Sequence, residues 1–316
     1  MKAKISMQPS STLSVQDCFE KYIKKCTVRN LSEKTICVYR KHFRILIEYV
    51  DKDSPISNIT SDIMDDFILY VKETHKCNDI SINSLLRSIR AFLYFAMDNG
   101  NISPRFVIHM LKTEKKIKET YNNEELSLLL KKPNKDKCDF TEFRIWALTN
   151  YLLATGNRIS SALNLRICDI DHDNGIIQID KTKNRKSQLI PLSKTLEGVL
   201  TEYLSIRGGE PTDYVFCNSV GDKGDMRSYQ ESIAKYNIKR GVTKTSAHLY
   251  RHTFAKNWIL NGGDIFRLQK ILGHSDLTVV KEYVNMFSND LSVDFDKFNP
   301  LDNLKLSNNK KSIHMK

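Results

Sequence analysis

Apolar residues recur at helical intervals through the first hundred positions. In EKTICVYRKHFRILIEYV (33–50) the stripe is Ile36, Tyr39, Phe43 and Ile47. ISINSLLRSIRAFLYFAMDNG (80–100) repeats the pattern with Ile82, Leu85, Leu86, Ile89 and Phe92, and Gly100 supplies a stop. SVQDCFEKYIKK (14–25) opens with Ser14 and Asp17 at capping-box spacing, and SDIMDDFILYVKE (61–73) reads as one more helix. Four such helices predict a small bundle over residues 11–111, after an unanchored stretch of residues 1–10. A polar, lysine-rich connector, KTEKKIKE, then breaks the pattern, which places a linker at 112–120.

From residue 121 the periodicity is mixed. YNNEELSLLLKK begins a helix with Asn122 and Glu125 in capping-box spacing, and FRIWALTNYLLATG is a buried helix closed by Gly156. Asn174-Gly175 sits between two apolar runs in ICDIDHDNGIIQID, which signals a β-hairpin. KSQLIPLS reads as a third strand entered through the basic turn TKNRK, and YVFCN as a short fourth. SKTLEGVLTEYLSIR, SYQESIAKYNIKR, AHLYRHTFAKNWILNGG, DIFRLQKILGHSD and DLTVVKEYVNMF return to helical spacing. The expected fold is therefore mainly α with a small antiparallel β-sheet. An N-terminal helical bundle precedes an α+β domain over 121–290, and 291–316 form a C-terminal tail. That tail mixes apolar residues from Leu291 to Leu304 with a polar, lysine-rich end.

Composition adds one constraint. A net charge of +12 and a pI near 9.2 favour an anionic partner, of which nucleic acid is the commonest. The seven cysteines are scattered and form no C-x-x-C pair, which suits free thiols in a reducing compartment, so a cytoplasmic location is expected. MKAKISMQPSSTLS lacks the apolar core of a signal peptide, and no run reaches the ~18 apolar residues a membrane span needs.

The chemistry concentrates in HLYRHTFA (248–255). His248, Arg251 and His252 are three and four apart, so one helix face presents all three. Zinc fits poorly. A helical metalloprotease motif puts glutamate after its first histidine, where this chain has Leu249, and Arg251 would set a cation beside the metal. Phosphate fits better, because arginine forks two donors onto its oxygens. Other residues suit the same ligand. Arg158 stands where a helix begins, just after Gly156, and Lys183 lies on the basic hairpin turn. His274 lies at a helix end in ILGHSD, and Tyr283 follows nine positions later.

In this order the set resembles the tyrosine recombinase (phage integrase) family, in its compact two-domain form. The likeness rests on LLATGNRISSALNL, IDKTKNRKSQLIPLS, H-x-x-R-H-T-F-A and LGHSD with its tyrosine nine after the histidine, and spans about residues 143–285. The N-terminal bundle is similar to the family's core-binding, SAM-like domain. The resemblance implies a site-specific recombinase or integrase that breaks and rejoins DNA through a 3′-phosphotyrosyl bond. It implies Tyr283 as nucleophile, Arg158 and Arg251 on the non-bridging oxygens, and Lys183 as acid for the leaving 5′-oxygen. His248 would be acid/base on the tyrosine side, His274 a phosphate donor, and His252 a brace from behind. It further implies double-stranded DNA as partner, a homotetramer on paired sites, and no metal, nucleotide or membrane. Two other readings share part of this pattern: a type IB topoisomerase-like strand transferase and a DNA-binding relative without catalysis. Three positions depart from the family: Ser161 for its usual glutamate, Asn157 for an apolar residue, and T-K-N for G-K-G around Lys183.

Overall fold

The computed structural model of the protein describes residues 13–113, 119–179 and 187–273, together with Val284 and Asn299. The chain divides into two compact units, Met1–Lys116 and Ile117–Lys316.

The first unit holds helices α1 (Val15–Val28), α2 (Glu33–Ile47), α3 (Ser61–Thr74) and α4 (Asp79–Asp98). Each starts where the sequence provides an oxygen-bearing cap. Ser14, Ser32, Thr60 and Asn78 accept the backbone N–H three residues on, satisfying one of the donors a helix start leaves open. α4 is the central helix and packs against the other three. Its stripe Ile82, Leu85, Leu86, Ile89 and Phe92 is buried as the spacing requires, and Asn99 with Gly100 ends it. Phe19 stacks on Phe43 with centroids 3.7 Å apart, and Phe92 meets both rings edge-on. Along α2 the buried residues are Phe43 and Leu46, whereas Ile36, Tyr39 and Ile47 are half-covered. Buried Asn83 exchanges two hydrogen bonds with the backbone of Leu111, which fixes the chain as it leaves the bundle.

The second unit contains α5 (Asn123–Leu130), α6 (Phe140–Thr155), α7 (Ile159–Ala162), β1 (Ile170–Asp171), β2 (Ile176–Ile179) and β3 (Gln188–Pro191). It continues with α8 (Lys194–Arg207), α9 (Met226–Lys239), α10 (His248–Leu260) and α11 (Ile265–Leu272). α6 buries every residue from Phe143 to Thr149 and lies at the centre, packed by α5, α8, α9 and α10. The strands form one antiparallel sheet in the order β1-β2-β3, pairing Ile177 with both Ile170 and Ile190. The capping box of Asn122 and Glu125 is complete.

The expected hairpin is present: β1 and β2 pair antiparallel through four residues, His172–Gly175, and Asp171 accepts the backbone N–H of Asn174 within that turn. One expectation needs correction. YVFCN joins no sheet. Tyr214 and Cys217 make only isolated antiparallel bridges, with Arg166 and Lys223, and two carbonyls of the segment are taken by side chains: Tyr203 donates to Val215 O, while Tyr229 and Arg144 donate to Cys217 O. The expected N-terminal stretch 1–10, the basic turn of residues 181–186 and most of the helix at 276–287 and the tail lie outside the described residues, although Val284 is helical.

Gly156 ends α6 in the left-handed region, with φ +63°. A Cβ there would stand 2.5 Å from Phe254 Cδ1 and 2.8 Å from Leu272 Cδ2. Gly156→Ala is therefore expected to destabilise the second unit by about 2–4 kcal/mol, from left-handed strain plus overpacking. Urea unfolding measures it, and a loss below about 1 kcal/mol would contradict this account of the turn.

Candidate active site

The site is built where α6 ends, α10 begins and α11 ends. Beyond Gly156 the chain makes a short turn through Asn157 and enters α7, with Arg158 at the N-cap position and half-exposed. Asn157, a departure from the family, has a role in this core. It is buried, and its Nδ2 donates to Tyr151 Oη at 2.8 Å. Tyr151 is fully buried, and burial raises its phenol pKa. An apolar residue at 157 would remove this partner from a hydroxyl that water does not reach.

α10 starts at His248, so Arg251 and His252 fall one turn further on. Arg251 is only 4% exposed. Its Nη1 donates to Gly156 O and its Nη2 to Leu272 O, both at 2.8 Å. Those carbonyls sit at the C-terminal ends of α6 and α11, where the helix dipoles carry partial negative charge. One guanidinium thus binds the turn before Arg158 to the turn before His274. The sheet is fastened to the same place. Gln188, at the start of β3, donates through Nε2 to the carbonyls of Lys270 and Ile271. Gly273 follows in the left-handed region, where a Cβ would lie 2.8 Å from Gln188 Oε1. The strand that receives the basic turn is therefore held against the end of α11.

Of the six expected site residues, Arg158, His248 and Arg251 are described, and they come together. His248 is exposed, yet enough protein surrounds its ring to disfavour the cation. Burial first, then the charge of Arg251, then that of Arg158 lower its pKa below the ordinary histidine value. Lys183, His274 and Tyr283 lie outside the described residues. His252 is half-buried on the same turn. Ser161 lines a cavity of about 320 Å³ with Arg166, Asp169 and Tyr214, open space beside the position that holds glutamate in the family. Sequence reasoning missed Gln188, whose only local signal is its position at the mouth of the basic turn. Among the described residues no group of three or more His, Cys, Asp and Glu side chains could hold a metal ion. What the site concentrates is positive charge.

The sequence matches the phage integrase family over residues 119–289, and the phage integrase SAM-like domain over residues 14–122. The chain belongs to the phage integrase family. Among its relatives is the tyrosine recombinase XerD of Staphylococcus epidermidis, 26% identical over 284 residues that cover 86% of this chain and 94% of the relative. The XerD of Listeria monocytogenes is 27% identical over 285 residues, with the same coverage of both chains. In fold the chain is similar to the Tn1549 transposon integrase in complex with transposon right end DNA, with a TM-score of 0.73 and 20% identity over 88% of this chain and 95% of that one. A lambda integrase tetramer bound to a Holliday junction gives a TM-score of 0.69 at 15% identity, covering 87% of this chain and 78% of that one. This phage integrase family member is a tyrosine-type site-specific recombinase, an enzyme that acts on DNA.

Proposed function

We propose that the protein cuts and rejoins DNA through a transient bond between Tyr283 and a strand's 3′-phosphate. The observation that carries this reading is the bond from Arg251, one turn after His248 on α10, to Gly156 O in the turn just before Arg158, which brings two guanidiniums and an imidazole to the same part of the fold. Two fixed cations suit the two non-bridging oxygens of a phosphodiester and the charge that grows on them in the transition state. A histidine with a lowered pKa is neutral near pH 7, so His248 can take the phenol proton as the Tyr283 oxygen attacks phosphorus. The P–O5′ bond breaks, Lys183 protonates the departing 5′-oxygen, and His274 donates to the phosphate. The phosphotyrosyl linkage conserves the bond energy until another strand's 5′-hydroxyl attacks it and releases the tyrosine. No metal or nucleotide enters this cycle.

Exchange between two duplexes involves four strands, each needing its own nucleophile, so the working assembly is a homotetramer on paired double-stranded sites. The charge of +12 supports affinity through phosphate contacts that weaken steeply with salt. All seven cysteines are free and no described helix is long and apolar enough to cross a membrane, both compatible with work in the bacterial cytoplasm, at the nucleoid.

The test is a duplex selected for binding from a randomised pool and nicked next to the cleavage point, so that the released fragment diffuses away. The expected product is a protein–DNA adduct that survives detergent, disappears with protease and forms equally well in EDTA. Cleavage that leaves no adduct, or that stops in EDTA, would refute the proposal.

A further inference from the structure

α10 is gripped from behind by Tyr121, the first residue after the linker. Taking about 100° per residue, His248, Arg251 and His252 occupy one side of α10, and Tyr250 and Thr253 the roughly opposite side. Tyr121 lies on that second side. Its backbone N–H donates to Thr253 Oγ1 at 2.9 Å, and its ring lies against Tyr250 with centroids 4.8 Å apart. Its hydroxyl accepts from Asn237 Nδ2 at 2.9 Å and faces the carbonyls of Lys244 and Ser246 at 3.4 and 3.5 Å. Asn237 is wholly buried near the end of α9, and it spends its side chain joining other segments. Its Nδ2 also donates to Lys244 O at 2.7 Å, and its Oδ1 accepts from Tyr250 Oη at 3.1 Å. Lys244 closes the cluster by donating to Thr120 O and pairing with Glu125, each at 2.9 Å. Ser246, the last residue in this approach, accepts the backbone N–H of His248 at 3.3 Å.

Every one of these bonds falls on residues 244–253 or on the partner that holds them, and those residues bracket His248 and Arg251. Burial pushes the Tyr121 phenol up to about 12, so it stays a neutral donor throughout the working range. We propose that Tyr121 is a positioning residue: seated on Thr253, Tyr250 and Asn237, it sets the rotation and height of α10 and so places His248 and Arg251. Tyr121 directly follows the 112–120 linker in sequence. The inference rests on the reading of His248 and Arg251 given above. It adds a function for Thr253, the part of H-x-x-R-H-T-F-A that the chemistry leaves unused.

The variants are Thr253→Val, which removes the acceptor at nearly constant shape, Thr253→Ser, which keeps it, and Tyr121→Phe, which removes only the hydroxyl. Ile145→Val, a buried position in the N-terminal half of α6, is a control for simple loss of stability. A misplacement approaching 1 Å costs up to about 100-fold in rate, so Thr253→Val and Tyr121→Phe should slow adduct formation about 10-fold or more at saturating DNA. Their DNA affinity should stay within about 2-fold, and Thr253→Ser should recover most of the rate. In the free protein, the His248 imidazole titration followed by NMR should rise toward the ordinary histidine value in the two slow variants. The ring would then lie less closely against Arg251, Arg158 and the surrounding protein. Ile145→Val should change neither readout. Wild-type rates and an unmoved His248 titration in Thr253→Val and Tyr121→Phe would overturn the proposal, as would an equal slowing in Ile145→Val. If the wild type makes no adduct, the proposed function fails by itself, and the His248 titration still decides whether Tyr121 positions the helix.

Discussion

Tyr283→Phe is expected to abolish the covalent adduct, a fall of at least ~10⁴-fold, while DNA affinity changes less than about 3-fold. Phenylalanine keeps the ring of tyrosine and lacks only the hydroxyl, the proposed attacking oxygen. Arg158, Arg251 and His248 would remain, but in the proposed roles they would bind and polarise a phosphate without supplying the atom that bonds to it. Water is a poor substitute, because the site would have to orient a nucleophile that nothing ties to the chain. The measurement is adduct yield on the nicked duplex beside a binding titration of the same DNA. An adduct at wild-type level in Tyr283→Phe would mean that another side chain attacks, and Arg251 and His248 would then need a different partner. Loss of binding along with the adduct would instead assign Tyr283 to DNA recognition.

Why the candidate site could be read from the sequence, and where reading stopped, follows from the range of the interactions involved. His248 and Arg251 share a helix face because three-residue spacing guarantees it once AHLYRHTFAKNWIL is helical. Gly156 could be read as a helix stop because few other residues tolerate the left-handed backbone found there, whereas Gly273 ends α11 inside a stretch read as helix through Asp276. Capping pairs such as Asn122 and Glu125 are equally local. The ties between segments were not legible. Gln188 reaches carbonyls 82 and 83 residues away, and Tyr121 meets Thr253 across 132 residues. No periodicity encodes such contacts, and each looks like an ordinary polar residue in its own stretch. Asn157 was visible as a departure from the family, but its reason, the buried hydroxyl of Tyr151, appears only once α6 has turned back on its own end. YVFCN misled for a related cause. Its short apolar run suits a strand, yet Tyr214 and Cys217 make only isolated bridges, while Tyr203, Tyr229 and Arg144 donate to the Val215 and Cys217 carbonyls.

Arg251→Lys should lose both activity and stability, and comparison with Arg158→Lys separates the two. In Arg251 one planar group donates to Gly156 O and Leu272 O from two different nitrogens, and it is almost wholly buried. An ammonium carries its charge at a single point and cannot repeat that fork, so at least one helix-end carbonyl loses its donor in a place water barely reaches. The cost of leaving a buried acceptor unsatisfied is about 1–3 kcal/mol, which for a unit of this size lowers its melting temperature by roughly 3–10 °C. Adduct formation should fall further, by ~10²–10³-fold, the usual penalty for losing one preorganised donor to a developing oxyanion. Arg158 has no hydrogen-bonding or ion-pairing side-chain partner among the described residues, so Arg158→Lys should melt within about 2 °C of wild type while losing activity on a similar scale. Calorimetry and adduct kinetics on the two variants therefore test two functions of one arginine. An unchanged melting temperature in Arg251→Lys would show that the tie between α6 and α11 does not depend on the guanidinium fork. Retained activity with a lowered melting temperature would show that Arg251 holds the walls of the site and that the phosphate is gripped elsewhere.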